Sequence, residues 1–300
     1  MTSEPLEMID YLVIGHICSD LQPDGSTRLG GTALFASLTA HRLGLRTAVL
    51  TACARDFDLS ILPKDLRVVR QPSSVTTIFE NRYHAEGRTQ MLHACAETIQ
   101  LDPGGGALPA GWQKASIVHL APIIQEVPKD VCALFDGAIV GATPQGWLRS
   151  IHPSSASGAS GGAKEAPPQV TTDPATLLAI PWGGREVVVL SEEDVQHDEP
   201  LVRQLAEKLP LVVLTRAERG ATVFVSGRGT DVPAYPANVV DPTGAGDVFA
   251  AAFFAGLRED GDPIRAARYA CAAAACSLEG FSVEALPTPD DVRRRMRARA

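Results

Sequence analysis

Short unbroken apolar runs alternate along this chain with longer segments of helical spacing. The runs are YLVIG (11–15), RTAVLT (46–51), SIVHL (116–120), GAIVG (137–141), EVVVL (186–190) and LVVLT (211–215). Runs with no polar face suit strands covered on both sides, as in a parallel sheet. Between them, GTALFASLTAHRLG (31–44) and the segments 198–209, 247–258, 262–279 and 289–298 read as helices. Gly44 is placed to end the first of these. Strand–helix alternation predicts an α/β fold with right-handed crossovers.

Two stretches break the alternation. SSVTTIFENRYHAEGRTQMLHACAET (73–98) holds two β-like runs around a turn near Glu86-Gly87, with no helix between them. That reads as a hairpin appended to the α/β body. IHPSSASGASGGAKEAPPQVTTDP (151–174) is rich in Ser, Gly, Ala and Pro and reads as a flexible loop. There is no internal repeat.

Composition narrows the function classes. Of the 300 residues, 45% are hydrophobic, enough for a large core, and the net charge of −8 argues against nucleic-acid binding by bulk electrostatics. The C-terminal VRRRMRAR does not change this. Thr288 can cap a helix, Pro289 fits its first position, and Asp290 and Asp291 precede the arginines, the order that the helix dipole favours. No apolar run reaches the roughly 18 residues of a membrane span. The first ten residues lack the charge pattern of a signal peptide. These features set the expectation of a cytoplasmic protein with no membrane partner. The six cysteines form no CxxC pair and read as reduced, mostly buried thiols.

The familiar chemical motifs are missing or misplaced. There is no GxxxxGK[ST] phosphate loop, and no GxGxxG follows the first strand. Gly158, Ser160 and Gly162 match GxSxG but lie in the low-complexity loop with no strand before them. NVVDPTGAGDVFAAAFFAG (238–256) is different. Asp241-Pro242 makes a turn, Gly244-Ala245-Gly246 lets the backbone approach a ligand, and a helix opens near Asp247. The amides of a first helical turn lack internal partners and carry partial positive charge, so small residues there make an anion site. A phosphate oxygen with developing charge is its natural guest.

DPTGAGD resembles the C-terminal signature of the ribokinase, or PfkB, family of carbohydrate kinases. The likeness extends along most of the chain. IGHICSDL (14–21) resembles the family's first strand, with its substrate-binding aspartate at Asp20. LGGTALFASLTAHRLG (29–44) is similar to the N-terminal glycine signature, and TRAERGATVFV (215–225) resembles the strand–turn–strand beside the nucleotide. The resemblance implies a single domain over 1–300: a three-layer α/β/α sandwich with a mostly parallel central sheet and a small β lid from about 21–30 and 73–98. It implies transfer of the ATP γ-phosphoryl group to a hydroxyl of a sugar, a polyol such as inositol, or a nucleoside. Asp247 would accept the hydroxyl proton, and the amides of Gly244, Ala245 and Gly246 would form the anion hole. Asp20, Gly30, Gly31 and Phe35 would meet the acceptor, and Thr215 and Gly220 the nucleotide. Mg²⁺ would be reached through water from Asp194, and a monovalent cation such as K⁺ would sit near Asp241 and Thr243. A monomer, or a homodimer through the lid, is the implied assembly.

Three positions depart from the family pattern. Phe35 stands where the glycine signature often has Asn. Such a Phe either offers its ring to the acceptor or points into the core. Ser191-Glu192-Glu193-Asp194 replaces NxxE, and Ala217 replaces a usual glycine. Phe35 and the altered NxxE would also suit a catalytically idle member that binds a metabolite and regulates a partner. Placing Asp247 at a helix N-terminus is expected to lower its pKa.

Overall fold

The computed structural model describes residues 8–84, 87–101, 108–109, 111–153 and 166–298. Its strands are β1 (Tyr11–Ile14), β2 (Cys18–Leu21), β3 (Thr27–Gly30), β4 (Thr47–Ala54), β5 (Arg67–Ser73), β6 (Ile78–His84), β7 (Gly87–Ala94), β8 (Ile117–Leu120), β9 (Ile139–Ala142), β10 (Arg149–His152), β11 (Gln169–Thr172), β12 (Val187–Ser191), β13 (Leu211–Thr215), β14 (Ala221–Val225) and β15 (Arg228–Val232). Its helices are α1 (Thr32–Arg42), α2 (Glu199–Lys208), α3 (Ala245–Asp260), α4 (Pro263–Ser277) and α5 (Pro289–Arg297). All five expected helices are present, with ends shifted by at most two residues.

A nine-stranded sheet runs β15-β14-β13-β12-β9-β8-β1-β4-β5. It is parallel from β13 to β5 and antiparallel at β14 and β15. The apolar runs feed both faces in strict alternation. Tyr11, Val13, Val187, Val189, Leu211 and Val213 join a core under α1, α3, α4 and α5. Leu12, Ile14, Val188, Leu190, Val212 and Leu214 join a second core on the other face. Each fully buried Val or Leu contributes roughly 1.5–3 kcal/mol of transfer free energy. The second face is covered by α2 and by short 3₁₀ turns, such as Pro144–Leu148 and Pro174–Ala179, with Trp147 and Leu177 fully buried beneath them.

A second sheet runs β10-β11-β7-β6-β2-β3. The hairpin is its β6–β7 pair, and the short β2–β3 pair packs beside it, with β2 parallel to β6. One expectation is corrected here. The stretch 151–174 is not loop at both ends: β10 and β11 pair antiparallel, and β11 extends the sheet from β7. Val170 is buried there, and the β-branched Val-Thr-Thr favours strand despite its Pro- and Ser-rich flank. The middle of that stretch, with the GxSxG match, lies outside the described residues, as does Glu86 of the hairpin turn. Cys18, Cys53, Cys132 and Cys271 are buried, as expected for most of the cysteines, whereas Cys276 is partly exposed and Cys95 exposed.

Candidate active site

Parallel strands of an open α/β sheet present their carboxyl ends along one edge, where the following loops can converge on a ligand. β1, β8, β9, β12 and β13 end there; the chain after β1, β12 and β13 carries Asp20, Asp194 and Gly220, and the segment between β15 and α3 carries the Asp241–Asp247 turn.

After β1 the chain passes His16 and enters β2, which carries Asp20. Gly30 lies against that carboxylate so closely that a Cβ would overlap it, and a Cβ on Gly31 would come within 2.7 Å of the His16 carbonyl oxygen. The glycine pair therefore lets the start of α1 press onto the Asp20 strand. Behind it the buried Glu126 accepts from the amides of His16 (3.0 Å), Ile123 (2.9 Å) and Ile124 (2.7 Å). This carboxylate ties the loop after β1 to the loop after β8.

α3 begins at Gly244, which is left-handed with φ +76°. The Ala245 amide donates to the Pro242 carbonyl at 3.2 Å, closing the turn. The Ala245 amide, expected in an anion hole, is thus engaged within the turn. Gly246 has open space where a Cβ would be. Asp247 follows in the first turn, with the buried Thr32 hydroxyl of α1 close enough to favour its charged form. The expected fall in its pKa is reversed. Burial raises it, with the Asp194 charge adding, and the Thr32 hydroxyl and Arg149 only partly oppose, so it is pushed up to about 6. Desolvation of the carboxylate outweighs the favourable helix terminus.

Phe35 is also corrected. It is 2% exposed and belongs to the core, not to an open acceptor surface. Its ring lies directly under Gly244, filling the place of a Cβ there. An aromatic ring one turn into an apolar helix gains more from burial than from facing water.

Asp194 lies in a turn after β12, accepting from the Ser191 amide (2.8 Å), the Ser191 hydroxyl (2.8 Å) and the Gln145 amide group (3.3 Å). Its charge reaches Asp247. Among the described residues no three His, Cys, Asp or Glu side chains form a metal cage. Two mutually repelling carboxylates do fit a hard cation that keeps its waters and bridges to phosphate.

Thr215 ends β13 beside Ser191 of β12. In the turn that follows, the Arg216 amide donates to the Gly220 carbonyl at 2.7 Å. Arg216 pairs with Glu192 (3.6 Å) and Glu199 (2.8 Å), and Arg219 also pairs with Glu192. Ala217 keeps a left-handed backbone at φ +49°, which explains why glycine is usual there. Asp241 accepts from the amides of Thr243 (2.9 Å) and Ser282 (3.2 Å). Burial would raise its pKa, but these hydrogen bonds prevail and hold it below the usual carboxylate value.

Asp20, Gly30, Gly31, Asp247 and Asp194 thus gather along one edge. The Cys18 thiol lies within charge range of Asp20, Arg149, Glu126 and Asp247 together. Asp241 is tied to Leu278 and Ser282, and Thr243 to Asp241.

Residues 185–290 match the family model described as pfkB family carbohydrate kinase. Over this stretch the chain is similar to PfkB family carbohydrate kinases. Probable fructokinase-5 of Arabidopsis thaliana is 32% identical over 123 residues, a match that spans 38% of each chain. The cytidine kinase of Thermococcus kodakarensis is 25% identical over 83% of this chain and 88% of its own length. Among solved structures, a pyrophosphate-dependent myo-inositol-1 kinase converted into a myo-inositol-3 kinase superposes with a TM-score of 0.70 at 19% identity, over 96% of this chain and 99% of the other. The ribokinase-like fold is therefore shared over nearly the whole chain.

Sequence reasoning missed Thr32, Glu126 and Arg149. Arg149 is 6% exposed; it donates to the Ile123 carbonyl at 2.7 Å and sits 5.6 Å from the centre of the Phe79 ring of β6. Its charge lowers the pKa of Asp247. The available signal was a charged residue inside an apolar stretch: Glu126 in APIIQEV and Arg149 in GWLRSI.

Proposed function

We propose that this protein is an ATP-dependent kinase that transfers the γ-phosphoryl group to a hydroxyl of a sugar, a polyol such as inositol, or a nucleoside. One observation carries the reading: Asp247 stands beside the open Gly244–Gly246 turn, across from the Asp20 strand, on a helix whose N-terminus favours anions. The match of residues 185–290 to the pfkB family model points the same way.

Asp20 accepts hydrogen bonds from acceptor hydroxyls, and the Gly30-Gly31 backbone lets the acceptor lie close. Asp247 takes the proton as the hydroxyl oxygen attacks the γ-phosphorus and ADP leaves. With a pKa of about 6 it is about nine-tenths ionised at pH 7 and a stronger base than an exposed carboxylate. The amides of Gly244 and Gly246 meet the charge on the transferred group. Asp194 and Asp247 would hold Mg²⁺ through water, supplying charge neutralisation on the phosphates. Asp241 and Thr243 would face a monovalent cation. Thr215 and Gly220 would border the nucleotide. The idle-regulator alternative drew on Phe35 and Asp194. Both have places in the site framework, Phe35 under Gly244 and Asp194 facing Asp247, so neither departure requires lost chemistry.

The test is incubation of pure protein with ATP, Mg²⁺ and a panel of sugars, polyols and nucleosides, following ADP and phosphorylated product. Turnover of at least one acceptor is expected. ATP binding with no acceptor turned over across the panel would contradict the reading.

A further inference from the structure

The first turn of α1 touches both parts of the site that α3 carries. Thr32, its first residue, is buried, and its hydroxyl lies close enough to the Asp247 carboxylate to favour its charged form. Phe35, three residues on, occupies the same side of the helix and lies under Gly244. Its ring atoms come within 2.6 Å of where a Gly244 Cβ would stand, so ring and backbone are in direct contact. At its other end this turn is anchored by Gly31, which has φ +95° and lies against the His16 carbonyl and the Cys18 sulfur. One helical turn is thus fixed to the Asp20 strand on one side and to the base and anion turn on the other.

We propose that Phe35 and Thr32 are positioning residues: the Phe35 ring sets the height of the Gly244 turn, and the Thr32 hydroxyl aims the Asp247 carboxylate. This rests on the kinase reading. The site must hold the attacking oxygen, the base and the anion donors in one geometry, and misplacement of about 1 Å can cost 10²-fold in rate. Phe35 makes no polar contact with an acceptor. It acts through the backbone it supports, so its loss falls on turnover and spares ground-state binding. The same contact makes Gly244 obligatory twice over, for its left-handed φ and for the space the ring takes.

A double-mutant cycle with kinetics tests this. Phe35→Ala, the milder Phe35→Leu, Gly244→Ala, the Phe35→Ala/Gly244→Ala pair, Thr32→Val and Thr32→Ser are compared at a temperature well below every Tm. Phe35→Ala is expected to lower kcat by about tenfold or more, with Phe35→Leu between it and wild type. KM for ATP and for the acceptor should stay within about threefold. Gly244→Ala should cost less Tm in the Phe35→Ala background than alone, because the steric conflict is gone. Thr32→Val should lower kcat and Thr32→Ser should restore it. A folded Phe35→Leu or Phe35→Ala with wild-type kcat, or strictly additive Tm changes in the cycle, would overturn the proposal. Coupled Tm changes in a protein that turns over no acceptor would leave the contact as a feature of the fold alone, and would refute the kinase reading and the positioning role together.

Discussion

The two ends of the candidate site are built by different physics. On the acceptor side, Asp247, Arg149 and Glu126 carry ionisable groups into a packed setting of Phe79, Ile123, Ile124 and Cys18, and glycines bring backbone into direct contact with side chains. On the donor side, Arg216, Arg219, Glu192 and Glu199 form a network near the surface, around a turn that holds Ala217 in a left-handed conformation. In a dry setting a charge is expensive to bury and each neighbour shifts it strongly; near water the same pair is screened. Substitutions on the acceptor side should therefore change chemistry, whereas those on the donor side should change stability slightly.

The largest expected effect is at Asp247. Asp247→Asn should lower kcat by about 10²-fold or more while leaving ATP binding intact, measured by steady-state kinetics and calorimetric titration. It should also stabilise the fold at neutral pH. The folded carboxyl binds its proton more tightly than the unfolded one, whose value is near 3.8. Its stabilising contribution is therefore present below that value and lost as pH rises through about 6. The Tm gain of the Asn variant should be largest above pH 6 and shrink towards pH 4; a gain that grows with acid would contradict the half-buried-carboxylate picture.

Asp20→Ala comes next. It should raise the acceptor KM by roughly 10–100-fold through lost charged hydrogen bonds, with little change in the KM for ATP. The opposite pattern would place Asp20 in the wrong pocket. Arg149→Met should move the acid side of the pH–rate profile to higher pH, since this cation helps keep Asp247 ionised, and Arg149→Lys should move it less. An unmoved profile in a folded Met variant would remove Arg149 from the electrostatics of the base.

The donor side supplies the small effects that complete the contrast. Ala217→Gly should stabilise by about 0.5–1 kcal/mol in a denaturation curve by relieving the left-handed backbone. Arg219→Ala should lower Tm only slightly, and about 1 M salt should erase the difference. A large loss at Arg219 that persists in salt would make the two sides alike.

The same contrast explains how much could be read from the sequence. Strands β1, β8, β12 and β13 announce themselves as continuous apolar runs because both faces are covered, and α3 is announced by its glycine turn and apolar stripe. β5 and β15 escaped because edge strands exposed to water carry mixed residues, RVVRQPS and RGTDV, with no clear apolar face. β10 and β11 escaped because their few strand residues flank a Pro- and Ser-rich segment. The position of Asp247 was legible, but the direction of its pKa shift was not. A helix N-terminus is a local signal, whereas burial and the Asp194 charge arrive from elsewhere in the fold. Phe35 was legible as either core or acceptor surface, and only the packing of α1 on α3 assigns it to Gly244. Arg149 reaches the site because β10 pairs with β11 at the edge of the second sheet, a pairing that no local pattern encodes.

The most direct measurement of the central claim, that the half-buried Asp247 carboxylate at the start of α3 is the base, is the pH dependence of kcat for wild type and Asp247→Asn. Wild-type kcat should rise with pH through a midpoint of about 6 and then level off, as Asp247 loses its proton. The Asn variant should show only a low rate without that rise. A wild-type midpoint at the ordinary aspartate value of about 4, or the same rise near 6 in the Asn variant, would contradict the account.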